Sequence, residues 1–128
     1  MSLLRHNVVL LDQSAPIQVA LVGRAFRIRP SDGDTVPDGQ QRWWVVLDLT
    51  RDSEEGLVTA SLSISFDGLT WYPVGSVSTE HGAHVVEAVE LPAFAPLVRI
   101  ETTVDAVPPT YRLTARIASD GPFAAAPA

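Results

Sequence analysis

The sequence predicts an all-β protein, a single-domain antiparallel β-sandwich of about eight strands with jelly-roll or Ig-like connectivity. Three observations predict it. Apolar and polar residues alternate with a period of two, most clearly along Ser61–Phe66, Arg42–Thr50 and Tyr111–Ala118, which gives each strand one buried and one solvated face. Clusters of Gly, Pro and Asp punctuate these stretches, and no segment carries the apolar stripe of an amphipathic helix. Val, Thr and Ser are plentiful, a balance that favours strands. A chain of 128 residues suits one domain and buries enough surface for a core.

In chain order, residues 1–14 read as an N-terminal arm or edge strand, with Leu3, Leu4, Val8, Val9, Leu10 and Leu11 as its apolar side chains. The sandwich occupies residues 15–119. Ile17, Val19 and Leu21 alternate with Gln18 and Ala20 as a first strand, and Ala25–Arg29 continues with Phe26 and Ile28 inward and Arg27 and Arg29 outward. Pro30–Gln41, PSDGDTVPDGQQ, is a loop. On Arg42–Thr50, Trp43, Val45, Leu47 and Leu49 share one face and Trp44, Val46 and Asp48 the other, so one tryptophan must leave the main core. Arg51–Gly56 is a charged loop. Val58–Phe66 and Thr70–Val77 form a hairpin around Asp67-Gly68, where Gly accepts positive φ and Asp bonds to the turn. Leu62, Ile64 and Phe66 are expected to share a core with Trp43, Val45 and Leu47. His84–Leu91 has less distinct faces, because Glu87 and Glu90 fall on opposite ones, and the run from Pro92 to Pro96 ends it. Leu97–Val104 and Tyr111–Ala118 alternate again, with Arg99, Glu101, Arg112 and Arg116 outward. Residues 120–128 read as a flexible C-terminal tail.

Composition narrows the function. The chain has no Cys, so neither a disulfide framework nor a thiolate metal site is possible. A formal net charge of −6 argues against nucleic acid and anionic membranes as partners. No apolar run approaches the roughly 20 residues of a spanning helix, and the N-terminus makes a poor signal peptide, so assembly in a cytoplasm is expected.

No constellation of catalytic or cofactor-binding residues rises above a solvated surface. Asp32, Asp34 and Asp38 share one loop, but their spacing departs from a calcium loop and lacks its closing Glu. His81 and His84 sit beside Glu80 in a turn without a third ligand on a rigid element. Asp52, Glu54 and Glu55 form a charged run rather than a carboxylate pair across a cleft. No cofactor, no metal and no enzymatic activity are therefore expected. Ser65–Trp71, SFDGLTW, resembles a shortened Asp-box, in which Asp caps the turn and Trp anchors it; both are read as structural.

The same Ser65–Trp71 segment, the strand Leu97–Ile100 (LVRI) and the last strand Tyr111–Ile117 (YRLTARI) together resemble small bacteriophage virion proteins of the capsid-decorating or tail-accessory type. The resemblance implies a β-sandwich without catalysis, located in the virion. It also implies a homo-oligomer, with a trimer among the candidate orders, that contacts major capsid or tail proteins. The residues expected at such an interface are Leu3, Leu4, Val8, Leu10, Trp44, Arg27, Arg29 and Arg112, since exposed aromatics and arginines suit an interface core. The alternative is a carbohydrate-binding β-sandwich module that stacks sugars on Trp44, Trp71 or Tyr72.

Overall fold

In the computed structural model, which describes residues 6–30, 41–91, 97–121 and 123–128, the alternating stretches become strands. They are β1 (His6–Ile17), β2 (Phe26–Pro30), β3 (Trp43–Arg51), β4 (Val58–Ser65), β5 (Tyr72–Ser78), β6 (His84–Glu90), β7 (Leu97–Val104), β8 (Tyr111–Ser119) and β9 (Phe123–Pro127). The first eight pair in a nested way, β1 with β8, β2 with β7, β3 with β6 and β4 with β5, all antiparallel. That is one long hairpin rolled over on itself. Rolling it stacks two sheets, sheet A of order β1-β8-β3-β6 and sheet B of order β5-β4-β7-β2-β9. The connectivity is that of a jelly roll rather than an Ig-like sandwich.

The core lies between the sheets, where the period-two phasing predicts it. Val45, Leu47 and Leu49 of β3 and Leu113, Ala115 and Ile117 of β8 face Val58, Ala60, Leu62 and Ile64 of β4 and Val98 and Ile100 of β7. Trp43 joins them, and Trp44 takes the outer face of sheet A, half-buried.

Four expectations are corrected. Leu10, expected at an interface, is buried in the core. The register of β1 against β8 shifts between Val9 and Leu11, so a bulge turns Leu10 and Leu11 inward in succession, with Val8 packed beside them. Of the two readings of residues 1–14, arm or edge strand, the described part from His6 onward takes the second. Phe66, expected in the core, is 59% exposed, because β4 ends at Ser65 and the chain enters the turn there. Val19 is exposed and Leu21 lies outside any strand, joined to Thr102 by one backbone bond and one to its side-chain hydroxyl. The tail, expected to be flexible, forms β9, which pairs with the whole of β2 and sets Phe123 edge-on against Trp43, with ring centroids 5.1 Å apart. Its Ala-rich sequence carries no alternation of its own; the open edge of β2 and the Trp43 ring supply the order. Leu3, Leu4, the Asp32–Asp38 acidic cluster and the break from Pro92 to Pro96 lie outside the described residues.

The segment leaving β1 is clipped to the sandwich by a chain of buried and part-buried hydrogen bonds. Leu21 N–H donates to Thr102 Oγ1 (2.8 Å) and the Tyr111 hydroxyl donates to Val19 O (2.6 Å). The Tyr111 proton is thereby spent, so Thr102 Oγ1 donates to Tyr111 Oη across their 2.7 Å contact. Burial raises the Tyr111 phenol above its ordinary pKa, which keeps it a donor. Tyr111→Phe leaves Val19 O and the Thr102 hydroxyl without these partners, at an expected cost of about 1–3 kcal/mol in reversible unfolding. A neutral substitution would mean that water replaces the phenol at no cost.

Candidate functional site

The expected interface residues do not converge. Arg27 and Arg29 are exposed on the outward phase of β2, in sheet B. Trp44 and Arg112 lie on the outer face of sheet A, where Arg42 sits 5.0 Å over the Trp44 ring and Asp52 holds the Arg112 guanidinium through Nε and a terminal nitrogen at 2.9 Å each. Asp52 keeps the Arg112 guanidinium above its ordinary pKa by hydrogen bond and charge. Leu10 belongs to the core and Val8 packs against it. The three aromatics of the sugar-stacking alternative divide likewise: Trp44 is on sheet A, whereas Trp71 and Tyr72 belong to the β4–β5 hairpin of sheet B. No single platform contains all three.

What the structure does assemble is the tip of that hairpin. Asp67 Oδ1 accepts from Leu69 N (2.8 Å) and Thr70 N (2.9 Å), and Ser65 Oγ lies 3.2 Å away as a further donor. Gly68 N donates to Ser65 Oγ at 2.8 Å, and Gly68 has φ +80°, which a side chain would resist. Trp71 anchors the return, its ring 4.2 Å beneath the Arg99 guanidinium. Ser63 and Ser65, on the outward phase of β4, are buried nonetheless. The turn is thus fixed from within, and it holds three large apolar side chains out to water: Phe66 at 59%, Leu69 at 86% and Tyr72 at 51% exposure. Phe66 and Tyr72 are neighbours with centroids 6.3 Å apart. Sequence reasoning missed this patch by extending the alternation of β4 one residue too far. The signal was present in Leu69, a large aliphatic residue inside a turn that has no core to enter.

Thr70 N first, then Leu69 N, hold the Asp67 carboxyl below the usual aspartate pKa. A folded-state pKa depressed below the unfolded value stabilises the fold above the unfolded value of about 3.9, and that contribution is lost as pH falls through the folded value. Asp67→Ala is therefore expected to speed hydrogen exchange at Leu69 and Thr70 at neutral pH while leaving the core amides unchanged. In the wild type the same two amides lose protection only below the ordinary aspartate range. Equal exchange in variant and wild type would remove Asp67 from the turn's support.

The sheet edges, by contrast, are protected. Among the described residues the edges are β1 and β6 in sheet A and β5 and β9 in sheet B. β1 carries its bulge and Pro16, β5 carries Pro73 beside a register shift, and β9 ends in Pro127. β6 places Glu87 opposite Leu47, so a charge sits on the core-facing phase of an edge strand. Prolines, bulges and inward charges discourage strand addition.

Among the described residues no group of three His, Asp or Glu gathers as a metal set; His84 instead bonds Asp48, its Nε2 2.8 Å from Oδ1. No protein-family model and no curated protein matches the chain. Among solved structures, a point mutant of a family 29 carbohydrate binding module aligns over 89% of this chain and 91% of its own, at 10% identity and a TM-score of 0.43. A second family 29 module, also a point mutant, aligns over 89% and 85%, at 9% identity and a TM-score of 0.44. A chain of infectious bursal disease virus, Gx strain, aligns over 89% of this chain and 31% of its own, at 10% identity and a TM-score of 0.43.

Proposed function

We propose that the chain is a non-catalytic structural protein of a phage virion, a homo-oligomer that docks on capsid or tail proteins through the β4–β5 hairpin tip. The observation that carries this reading is the combination of a turn fixed from within and three large apolar side chains it holds in water. Burying a Phe or Leu side chain is worth about 1.5–3 kcal/mol each, and a preordered turn loses little entropy on docking. Such a cluster suits the centre of an interface, with the surrounding loops as its rim. Jelly-roll sandwiches serve viral shells and lectins alike, a fold-level analogy.

The test is sedimentation of the purified chain at tens of micromolar, followed by cosedimentation with assembled phage shells and tails. The reading expects oligomers, binding to shells or tails, and loss of that binding in a Phe66→Ser, Leu69→Ser, Tyr72→Ser variant with an unchanged melting temperature. A monomer that ignores both shells and tails would overturn it.

A further inference from the structure

A second feature lies on the outer face of sheet A, at the end of the sandwich opposite the hairpin tip. β3 ends at Thr50 and Arg51 where β8 begins and β6 starts, whereas the tip follows the end of antiparallel β4. Here an open groove of about 430 Å³ is lined by Ser14, Asp48, Thr50, His84, Arg112 and Thr114, with Leu113 between the last two. The volume is within the range of small-molecule sites. The lining comes from all four strands of the sheet, β1, β8, β3 and β6, so the groove is roughly 14 Å across at ordinary strand spacing.

We infer that this groove binds a neutral saccharide. Its chemistry excludes the other classes in turn. Each group able to carry positive charge already holds a carboxylate: Arg112 holds Asp52 through Nε and a terminal nitrogen, and His84 Nε2 lies 2.8 Å from Asp48 Oδ1. A phosphate or carboxylate ligand would have to displace these partners, and a cation would meet the guanidinium. An apolar ligand would find six polar side chains and one leucine, Leu113, whose side chain is fully buried in the core. What remains free suits a ligand whose groups each donate and accept. The second oxygen of Asp48 accepts, the remaining Arg112 N–H groups donate, and the hydroxyls of Ser14, Thr50 and Thr114 do both. Adjacent ring hydroxyls of a sugar present that alternation. The pairs His84–Asp48 and Arg112–Asp52 also fix their side chains before the ligand arrives, although His84 and Asp48 stay 61% and 45% exposed. Because the groove and the tip are at opposite ends, a chain docked by its tip leaves the groove open.

The experiment is a ¹⁵N–¹H correlation titration of the full chain with maltohexaose, cellohexaose and mannohexaose at millimolar concentration, and separately with inorganic phosphate. At least one glycan is expected to shift the amides of Asp48, Thr50, His84, Arg112 and Thr114 saturably, and phosphate is not. Asp48→Asn and Thr50→Val should each weaken that binding severalfold with the melting temperature unchanged; the second variant keeps the test open if the first misfolds. Silence with all three glycans overturns the inference, as do shifts confined to Phe66–Tyr72 or a stronger response to phosphate.

Discussion

Leu47→Ala is expected to cost about 4 kcal/mol, toward the upper end of the range for leucine truncation in a core. The size of that loss depends on whether the surroundings can collapse into the space left behind. Leu47 has no exposed surface and sits at the middle of β3, which is paired on both sides, with β8 and with β6. Its backbone is therefore held in place from both directions. Its flanking neighbours in the sheet are Ala115, too small to reach across, and Glu87, which would bring a charge. Across the sandwich the space is bounded by side chains such as Leu62 that are themselves fully enclosed. Phe66→Ala removes more carbon atoms yet should cost less than about 1 kcal/mol, since most of that ring is already in water. Reversible urea unfolding of both variants, with unchanged m-values, reads the contrast directly. A larger loss for Phe66 than for Leu47 would show that the Phe66 ring is enclosed rather than in water.

The pattern of residues that made Leu47 recognisable also sets the limit of what sequence could show. β3 and most of β8 have a core on one side and solvent on the other, and β4 alternates in residue type although Ser63 and Ser65 are buried as well, so the pattern survives along nearly their whole length. Pairing was harder to see. The nested order of the jelly roll depends on contacts such as Val8 with Ile117, which no local pattern encodes. The run Val8-Val9-Leu10-Leu11 looked like a surplus of apolar side chains, and an oligomer interface was one way to account for it. The bulge gives another: it inserts one residue and so sends two consecutive leucines to the same side. β9 was invisible for the opposite reason, since Phe123-Ala-Ala-Ala-Pro127 is ordered by the strand it joins rather than by itself. At the hairpin, the turn chemistry of Asp67 and Gly68 was legible and the boundary one residue earlier was not. That single residue moved Phe66 from the core to the candidate docking surface. The polar groove could not be read at all, because Ser14, Asp48, His84 and Arg112 come from four strands distant in sequence.

Gly75→Ala is expected to cost about 1–3 kcal/mol, an overpacking loss from a single methyl group. β5 and β6 are the edge strands that meet along one side of the sandwich, joined through the short 3₁₀ turn Thr79–His81. Gly75 lies opposite Leu62, next to the register shift in β5, and Val89 of β6 packs onto it. A Cβ at residue 75 would stand 2.7 Å from both Val89 methyl carbons, closer than van der Waals contact permits. The Gly75 backbone is not in the left-handed region, so the cost comes from space and not from dihedral strain. Val89 is β-branched and has few rotamers in which to yield, so β6 must move away from β5. The control is the double variant. Val89→Ala alone removes buried methyls and destabilises, but combined with Gly75→Ala it provides the room the new methyl needs. The two losses should therefore be less than additive, with a coupling of about 1 kcal/mol or more. Losses that simply add in urea unfolding would show that Gly75 is not what allows the two edges to close.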